Sequence, residues 1–185
     1  SDCRIAQRFY DCPAVADRFY GAAFSGHFAD IVAEVLYASR ATQAELAECI
    51  EFTNLDDVEE KVVQHGGVIY MLGHLGNWEY TADIQKRFSL PDIQHYNVYR
   101  RLNNSYMDRK MMNVRERMSG EGSCLEKHAL LRKMIGFRQE TKLHTIGLIS
   151  DQKPRPETTR YWCNFLNQDT GWLDGGEVLA GKFGY

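Results

Sequence analysis

The chain has 185 residues, of which 44% are hydrophobic and 25% are charged, and its formal net charge is −3. A chain of this length buries most of its apolar surface in one core, and the composition is that of an ordinary globular domain, not of a disordered or fibrous protein. The slightly negative charge argues against a nucleic-acid partner, and no run approaches the ~20 apolar residues of a membrane span.

Charge is unevenly distributed along the chain. From Asp30 to Glu60 the charged residues are acidic apart from Arg40. From Tyr99 to Lys142 the basic residues predominate, and they are Arg100, Arg101, Arg109, Lys110, Arg115, Arg117, Lys127, Arg132, Lys133, Arg138 and Lys142. Such a basic half can bind an anionic partner even though the whole chain is negative. The alternative is that these residues only solvate helix faces.

The five cysteines are odd in number and scattered, with no Cys-x-x-Cys pair. This pattern argues against a disulfide framework and a zinc site, and it fits a reducing compartment. We expect no metal and no cofactor. The chain opens without Met and stops at Tyr185, just past a helix-like run, so we expect a fragment that lacks both ends, and any membrane anchor would lie in a missing segment.

Hydrophobic periodicity predicts helices that alternate with strands. The predicted helices are 13–39, 55–64, 77–88, 105–118, 126–138 and 175–182, and the predicted strands are 49–52, 68–72, 96–99, a brief one after Gly120, 144–150 and 160–166. This alternation predicts an α/β fold with a mostly parallel sheet flanked by helices. We expect a single truncated domain over 1–185, with a helical lead-in over 1–45 and an α/β core over 46–185.

The most informative segment is Gly-His-Leu-Gly-Asn-Trp-Glu, residues 73–79, which directly follows the apolar strand 68–72. Sites in open parallel sheets form beyond the carboxyl ends of the strands. His74, Arg100 and the Asp151-Gln152 pair each follow a predicted strand, so we expect them to share one cleft.

The spacing of His74 and Glu79 suits acid–base chemistry. Glu79, in the first helical turn, would accept a hydrogen bond from one imidazole nitrogen while the other nitrogen removes a proton from a hydroxyl. No Ser or Cys nucleophile lies nearby, which favours direct transfer. The alternatives are a loop histidine that caps a carbonyl and a helix-start carboxylate placed for the helix dipole. A phosphate-binding glycine turn is disfavoured, because the segment lacks the Lys-Ser/Thr of a P-loop and the third glycine of a dinucleotide site.

Residues 73–79 resemble the His-x4-Glu motif of the lipid A biosynthesis acyltransferases, the lauroyl/myristoyl branch of the lysophospholipid acyltransferase superfamily. The likeness continues in order along the chain. The further matching stretches are 98–104, Arg115-Glu116-Arg117 with Gly120, 148–152 ending in Asp-Gln, and 165–180. The chain departs from the family pattern at Arg101, where the family usually has proline.

The resemblance implies a glycerolipid-acyltransferase-like fold with His74 as general base and Glu79 as its charge partner. It implies acyl carrier protein as donor, a hydroxyl of a phosphorylated glucosamine lipid A precursor as acceptor, and action at the cytoplasmic face of the bacterial inner membrane, with peripheral or anchored attachment to the membrane surface. The residues expected to bind substrate are Asn77, Arg100, Arg115, Arg117, Asp151 and Gln152. For the arginines, surface salt bridging is the alternative, and for Asp151 the alternative is a structural carboxylate that caps a loop.

Three other functions stay open from the sequence. One is an acyl-CoA-dependent relative that acylates another glycolipid or an aminolipid. Another is a non-catalytic homologue that only binds lipid, against which the intact His74/Glu79 pair argues. The last is an unrelated nucleotide-binding α/β domain.

Overall fold

The computed structural model describes residues 13–152 and 154–185, and the chain divides into two compact units, Ser1–Arg40 and Ala41–Tyr185. In the first unit, helix α1 spans Pro13–Ala38, which confirms the helix predicted over 13–39. Residues 1–12 of the predicted lead-in, with Cys3 and Cys12, lie outside the described residues. The division of the chain into a lead-in over 1–45 and a core over 46–185 stays a prediction.

The second unit is built of helices and strands that alternate along the chain. Its α-helices are α2 (Gln43–Cys49), α3 (Leu55–His65), α4 (Ser105–Ser119), α5 (Leu130–Gln139) and α6 (Gly175–Phe183). Its strands are β1 (Gly67–Leu72), β2 (Gln94–Tyr99), β3 (Cys124–Glu126), β4 (His144–Ile149), β5 (Tyr161–Phe165) and β6 (Gln168–Trp172). Two 3₁₀ helices span Trp78–Lys86 and Pro156–Thr158.

Four strands form one parallel sheet in the order β1-β4-β2-β3. Strand β4 is central, and its register places Leu72 of β1 opposite Ile149. Buried parallel strands read as continuous apolar runs, and the run in β4 is covered on both faces. The predicted α/β fold with a parallel sheet flanked by helices is confirmed.

The hydrophobic core lies where α5 packs against the sheet. Its buried residues are Tyr96, Leu125, Leu130, Met134, Phe137 and Ile146. The rings of Tyr96 and Phe137 stack with centroids 4.7 Å apart. These contacts pack the central strands against α5, and the loops that carry the candidate site leave the sheet at the carboxyl ends of those strands.

Two of the predicted elements differ in the structure. The strand predicted over 49–52 is wrong, because Cys49 ends α2, whose start is fixed by a capping box between Thr42 and Glu45. The helix predicted over 77–88 is a 3₁₀ helix, in which the Thr81 hydroxyl donates to the carbonyl of Trp78 at 2.7 Å. Such local side-chain bonds compete with regular α-helical hydrogen bonding.

Strands β5 and β6 pair with each other as an antiparallel hairpin, separate from the main sheet. The cysteines within the described residues, Cys49, Cys124 and Cys163, are free thiols. Among the described helices, none combines the length and the apolar character that crossing a bilayer requires.

Candidate active site

The register of the sheet brings His74 and Asp151 together. Strands β1 and β4 are parallel neighbours that end level with each other, and the Ser150 N–H donates to the Leu72 carbonyl at 2.8 Å. The next residues of each strand therefore leave the sheet side by side. His74 and Asp151, 77 residues apart in sequence, meet at this edge.

Asp151 holds His74 through two hydrogen bonds. The His74 backbone N–H donates to Asp151 Oδ2 at 2.6 Å, and His74 Nδ1 lies 2.7 Å from Asp151 Oδ1. Burial raises the pKa of the Asp151 carboxyl, but the hydrogen bonds from His74 outweigh this, so the pKa lies below its usual value. Asp151 is therefore ionised near neutral pH.

An ionised carboxylate only accepts hydrogen bonds, so the proton of His74 sits on Nδ1. The second nitrogen, Nε2, then carries the free lone pair, and none of the described residues donates to it. About a third of the His74 side chain is exposed, 32%. The arrangement presents a tautomerically fixed imidazole with its basic nitrogen available to a bound substrate.

Two glycines and a tryptophan shape the loop around His74. A Cβ added at Gly73 would lie 3.3 Å from Asp151 Oδ2, so glycine permits the close approach of that carboxylate. Gly76 has φ +59°, in the left-handed region that glycine adopts without strain. The Trp78 ring meets His74 edge to face with centroids 4.4 Å apart. The Trp78 ring is thus a second contact to the imidazole beside Asp151, and Nε2 stays accessible.

The predicted hydrogen bond from His74 to Glu79 is not the one that forms. The 3₁₀ helix turns Glu79 inward, and Arg115 of α4 donates to both of its oxygens, at 2.6 and 2.5 Å. Burial lowers the pKa of Arg115, but the bonds and charge of Glu79 more than offset this, so its pKa is raised. A buried carboxylate needs a charged partner, and Arg115 supplies it in place of His74.

The other predicted binding residues lie in several settings. Asn77 caps the 3₁₀ helix by accepting from the Glu79 N–H at 3.2 Å, and its Nδ2 is buried with no hydrogen-bond partner among the described residues. Arg117 donates to the Ala41 carbonyl at 2.7 Å. Arg100 and Gln152 are exposed at the carboxyl edge of the sheet. Substrate binding by these residues, and by Arg115 and Asp151, stays a prediction.

The carboxyl ends of β1 and β4 thus place an imidazole beside a carboxylate, and the largely buried Glu79–Arg115 ion pair lies just after the His74 loop. A family model described as bacterial lipid A biosynthesis acyltransferase matches residues 24–185. The chain belongs to this family. No curated protein matches the chain.

Membership in the lipid A acyltransferase family makes this chain an acyltransferase enzyme of lipid A biosynthesis, which uses an acyl donor and a lipid acceptor. The family resemblance read from the sequence is confirmed. Sequence reasoning placed Asp151 in the cleft but missed its contact with His74. The signal was present, because both residues directly follow apolar strands, but strand order is needed to make those strands neighbours.

Proposed function

We propose that this acyltransferase moves a fatty acyl chain from a thioester donor to a hydroxyl of a lipid A precursor, with His74 as the general base. The observation that carries the proposal is the 2.7 Å contact between His74 Nδ1 and the Asp151 carboxylate, which leaves Nε2 unbonded. A base must have a free lone pair and a fixed orientation, and this contact supplies both.

The reaction proceeds by direct transfer. Nε2 of His74 removes the proton of the acceptor hydroxyl as its oxygen attacks the thioester carbonyl. The tetrahedral intermediate then collapses, the carbon–sulfur bond breaks, and the leaving thiolate takes the proton back from the imidazolium. Asp151 stabilises the positive charge that His74 carries between these two steps.

Glu79 serves the same reaction through Arg115. Its ion pair ties the 3₁₀ helix that follows the His74 loop to α4, so the loop is held from its carboxyl side as well as by Asp151. In this proposal Glu79 is a positioning residue, and Asp151 is the carboxylate that faces the reacting imidazole.

The donor in the proposal is acyl carrier protein, and the acceptor is a phosphorylated glucosamine lipid at the cytoplasmic face of the inner membrane. Both partners are anionic, and the segment from 99 to 142 carries 11 of the chain's 22 arginine and lysine residues. Arg100 is exposed at the edge where His74 lies, which suits a phosphate contact.

The deciding experiment is an acyl-transfer assay read by mass spectrometry of the lipid product. The parent chain and His74→Ala are each given acyl carrier protein thioester or acyl-CoA, with a phosphorylated glucosamine lipid as acceptor. We expect His74→Ala to lose about 10²- to 10⁴-fold in kcat while its circular dichroism and melting stay those of the parent.

Retention of most of the turnover by His74→Ala would contradict the general-base role. Transfer from acyl-CoA but not from the acyl carrier protein thioester would change the proposed donor and leave the general-base role of His74 unchanged. A parent chain that binds lipid yet transfers no acyl group from either donor would contradict the proposed reaction.

A further inference from the structure

The β5–β6 hairpin carries a group of large apolar side chains that the fold leaves in water. Their exposed fractions range from 37% for Leu173 to 75% for Leu166, and the members are Tyr161, Trp162, Phe165, Leu166 and Leu173. Folded domains seldom expose this many large apolar side chains within one short hairpin without a binding role.

The tip of the hairpin is strained for the residue that occupies it. Phe165 pairs with Gln168, so the turn consists of Leu166 and Asn167 alone, with φ of 52° and 62°. Two-residue turns with positive φ at both positions favour Asn and Gly. A leucine in this conformation gains nothing for the fold, because its side chain points into solvent. Strain of this kind at an exposed residue indicates that the residue serves binding and not the stability of the fold.

The hairpin stands at the same sheet edge as His74. On its amino-terminal side the chain is fixed at Asp151, which is bonded to His74. On its carboxyl-terminal side the chain returns at Gly176, where an added Cβ would lie 3.1 Å from the Met71 sulfur and 3.4 Å from Leu148. Met71 and Leu148 lie near the carboxyl ends of β1 and β4, so the base of the hairpin lies at the edge of the sheet that carries His74.

Basic side chains are also exposed on the segment that follows β2, which ends at the same edge of the sheet. The segment that leaves β2 carries Arg100, Arg109 and Lys110 in exposed positions. Aromatic rings and leucine flanked by arginine and lysine are typical of surfaces that lie in the headgroup region of a bilayer, where apolar rings enter and cations meet anionic lipid. An acidic protein would satisfy the cations, but the tip leucine would stay in water.

We propose that the β5–β6 hairpin inserts its tip into the headgroup region of an anionic lipid bilayer and so holds the His74 site against the membrane. The second half of this statement rests on the proposed function, because a lipid hydroxyl is the acceptor there. The first half depends only on the hairpin and on the exposed basic residues of the segment that follows β2.

The test is binding of the chain to lipid vesicles without any acyl donor. We use vesicles of phosphatidylethanolamine with phosphatidylglycerol, measure co-sedimentation, and follow quenching of tryptophan emission by brominated lipid. Leu166→Asn should bind about tenfold more weakly than the parent, because one leucine is withdrawn from the apolar phase. It should fold at least as stably, since Asn suits a positive φ. The weakening should persist at high salt, which screens only the contribution of the basic residues.

Val63→Gln is the matched control, since Val63 is 57% exposed on α3, which runs toward the opposite edge of the sheet. It should bind vesicles like the parent. His74→Ala should also bind like the parent while losing acyl transfer, so failure of the proposed function leaves this result unaffected.

Equal vesicle binding by Leu166→Asn and the parent would overturn the proposal, as would no binding by the parent to anionic vesicles. A parent dimer in solution that Leu166→Asn dissociates would assign the hairpin to a second copy of the chain and would also overturn it.

Discussion

At the scale of single residues, the two carboxylates near His74 differ in what they contact. Asp151 bonds both the backbone and the ring of His74, whereas both oxygens of Glu79 accept from Arg115. The ring contact fixes the tautomer and stabilises the imidazolium, and the Arg115 contact does neither. Neutralising the two carboxylates should therefore have different effects. The main effect should be on kcat for Asp151 and on the free energy of unfolding for Glu79.

We expect Asp151→Asn to lower kcat by roughly 10²-fold, because an amide permits the wrong tautomer and no longer stabilises the imidazolium. Its stability should change little, since 40% of the Asp151 side chain is exposed. The measurement is kcat and KM as a function of pH, together with urea unfolding. If Asp151 had a purely structural role, the pH profile of kcat would be the same in Asp151→Asn and in the parent. That result would contradict the prediction.

At the scale of elements, the sequence predicted the parts that depend on local pattern. Apolar runs located β1 and β4, and the paired glycines marked the loop that carries His74. The sequence could not pair His74 with Asp151, because the placement of β4 between β1 and β2 is set by packing across the whole sheet. It could not orient Glu79 either, since that side chain turns inward with a 3₁₀ helix instead of the expected α-helix.

The Glu79–Arg115 pair joins the 3₁₀ helix to α4, so removing one partner should loosen both elements. The side chains are 8% and 19% exposed, so Glu79→Gln leaves a guanidinium buried without its counter-charge. We expect a loss of about 3 kcal/mol in the free energy of unfolding, measured in urea. The kcat of the remaining folded enzyme should fall less than in Asp151→Asn.

The matched control is the double variant Glu79→Gln with Arg115→Met, which removes the unpaired charge. It should recover part of the lost stability, because the main cost in the single variant is the orphaned cation. The contrary outcome is that Arg115→Met costs as much in the Glu79→Gln variant as it does in the parent. The two residues would then not be coupled, and the ion pair would not contribute to the stability of the fold.

At the scale of the whole molecule, two histidines are buried in the sheet that supports the site. His95 Nδ1 lies 2.9 Å from the Thr145 hydroxyl and its Nε2 lies 3.1 Å from Asn97 Oδ1. Burial lowers the pKa of His95 to about 4, against which the Asn97 contact acts weakly. Burial also lowers the pKa of His144, although its Nδ1 donates to the Lys142 carbonyl. The core therefore holds both rings neutral.

This predicts that the protein loses stability as the pH falls from about 6.5 to about 4. In that window the unfolded chain binds a proton at His95 that the folded chain does not, so acid favours unfolding. Above the unfolded pKa both states are neutral, and below the folded pKa both are charged, so the effect of His95 is confined to the window. The slope approaches ~1.4 kcal/mol per pH unit, which sums to about 3 kcal/mol for His95.

The measurement is urea unfolding at a series of pH values for the parent and for His95→Gln, which keeps polar atoms for Thr145 and Asn97 but does not titrate. The slope of the variant should be lower by about one proton between pH 6.5 and 4. Carboxylates with lowered pKa, such as Asp151, also destabilise the fold in acid, but they titrate equally in both proteins and cancel in the difference. Parallel pH curves for the two proteins would mean that His95 accepts its proton in the folded sheet. The buried sheet that carries the His74 loop would then tolerate a charged imidazole, against the lowered pKa of His95.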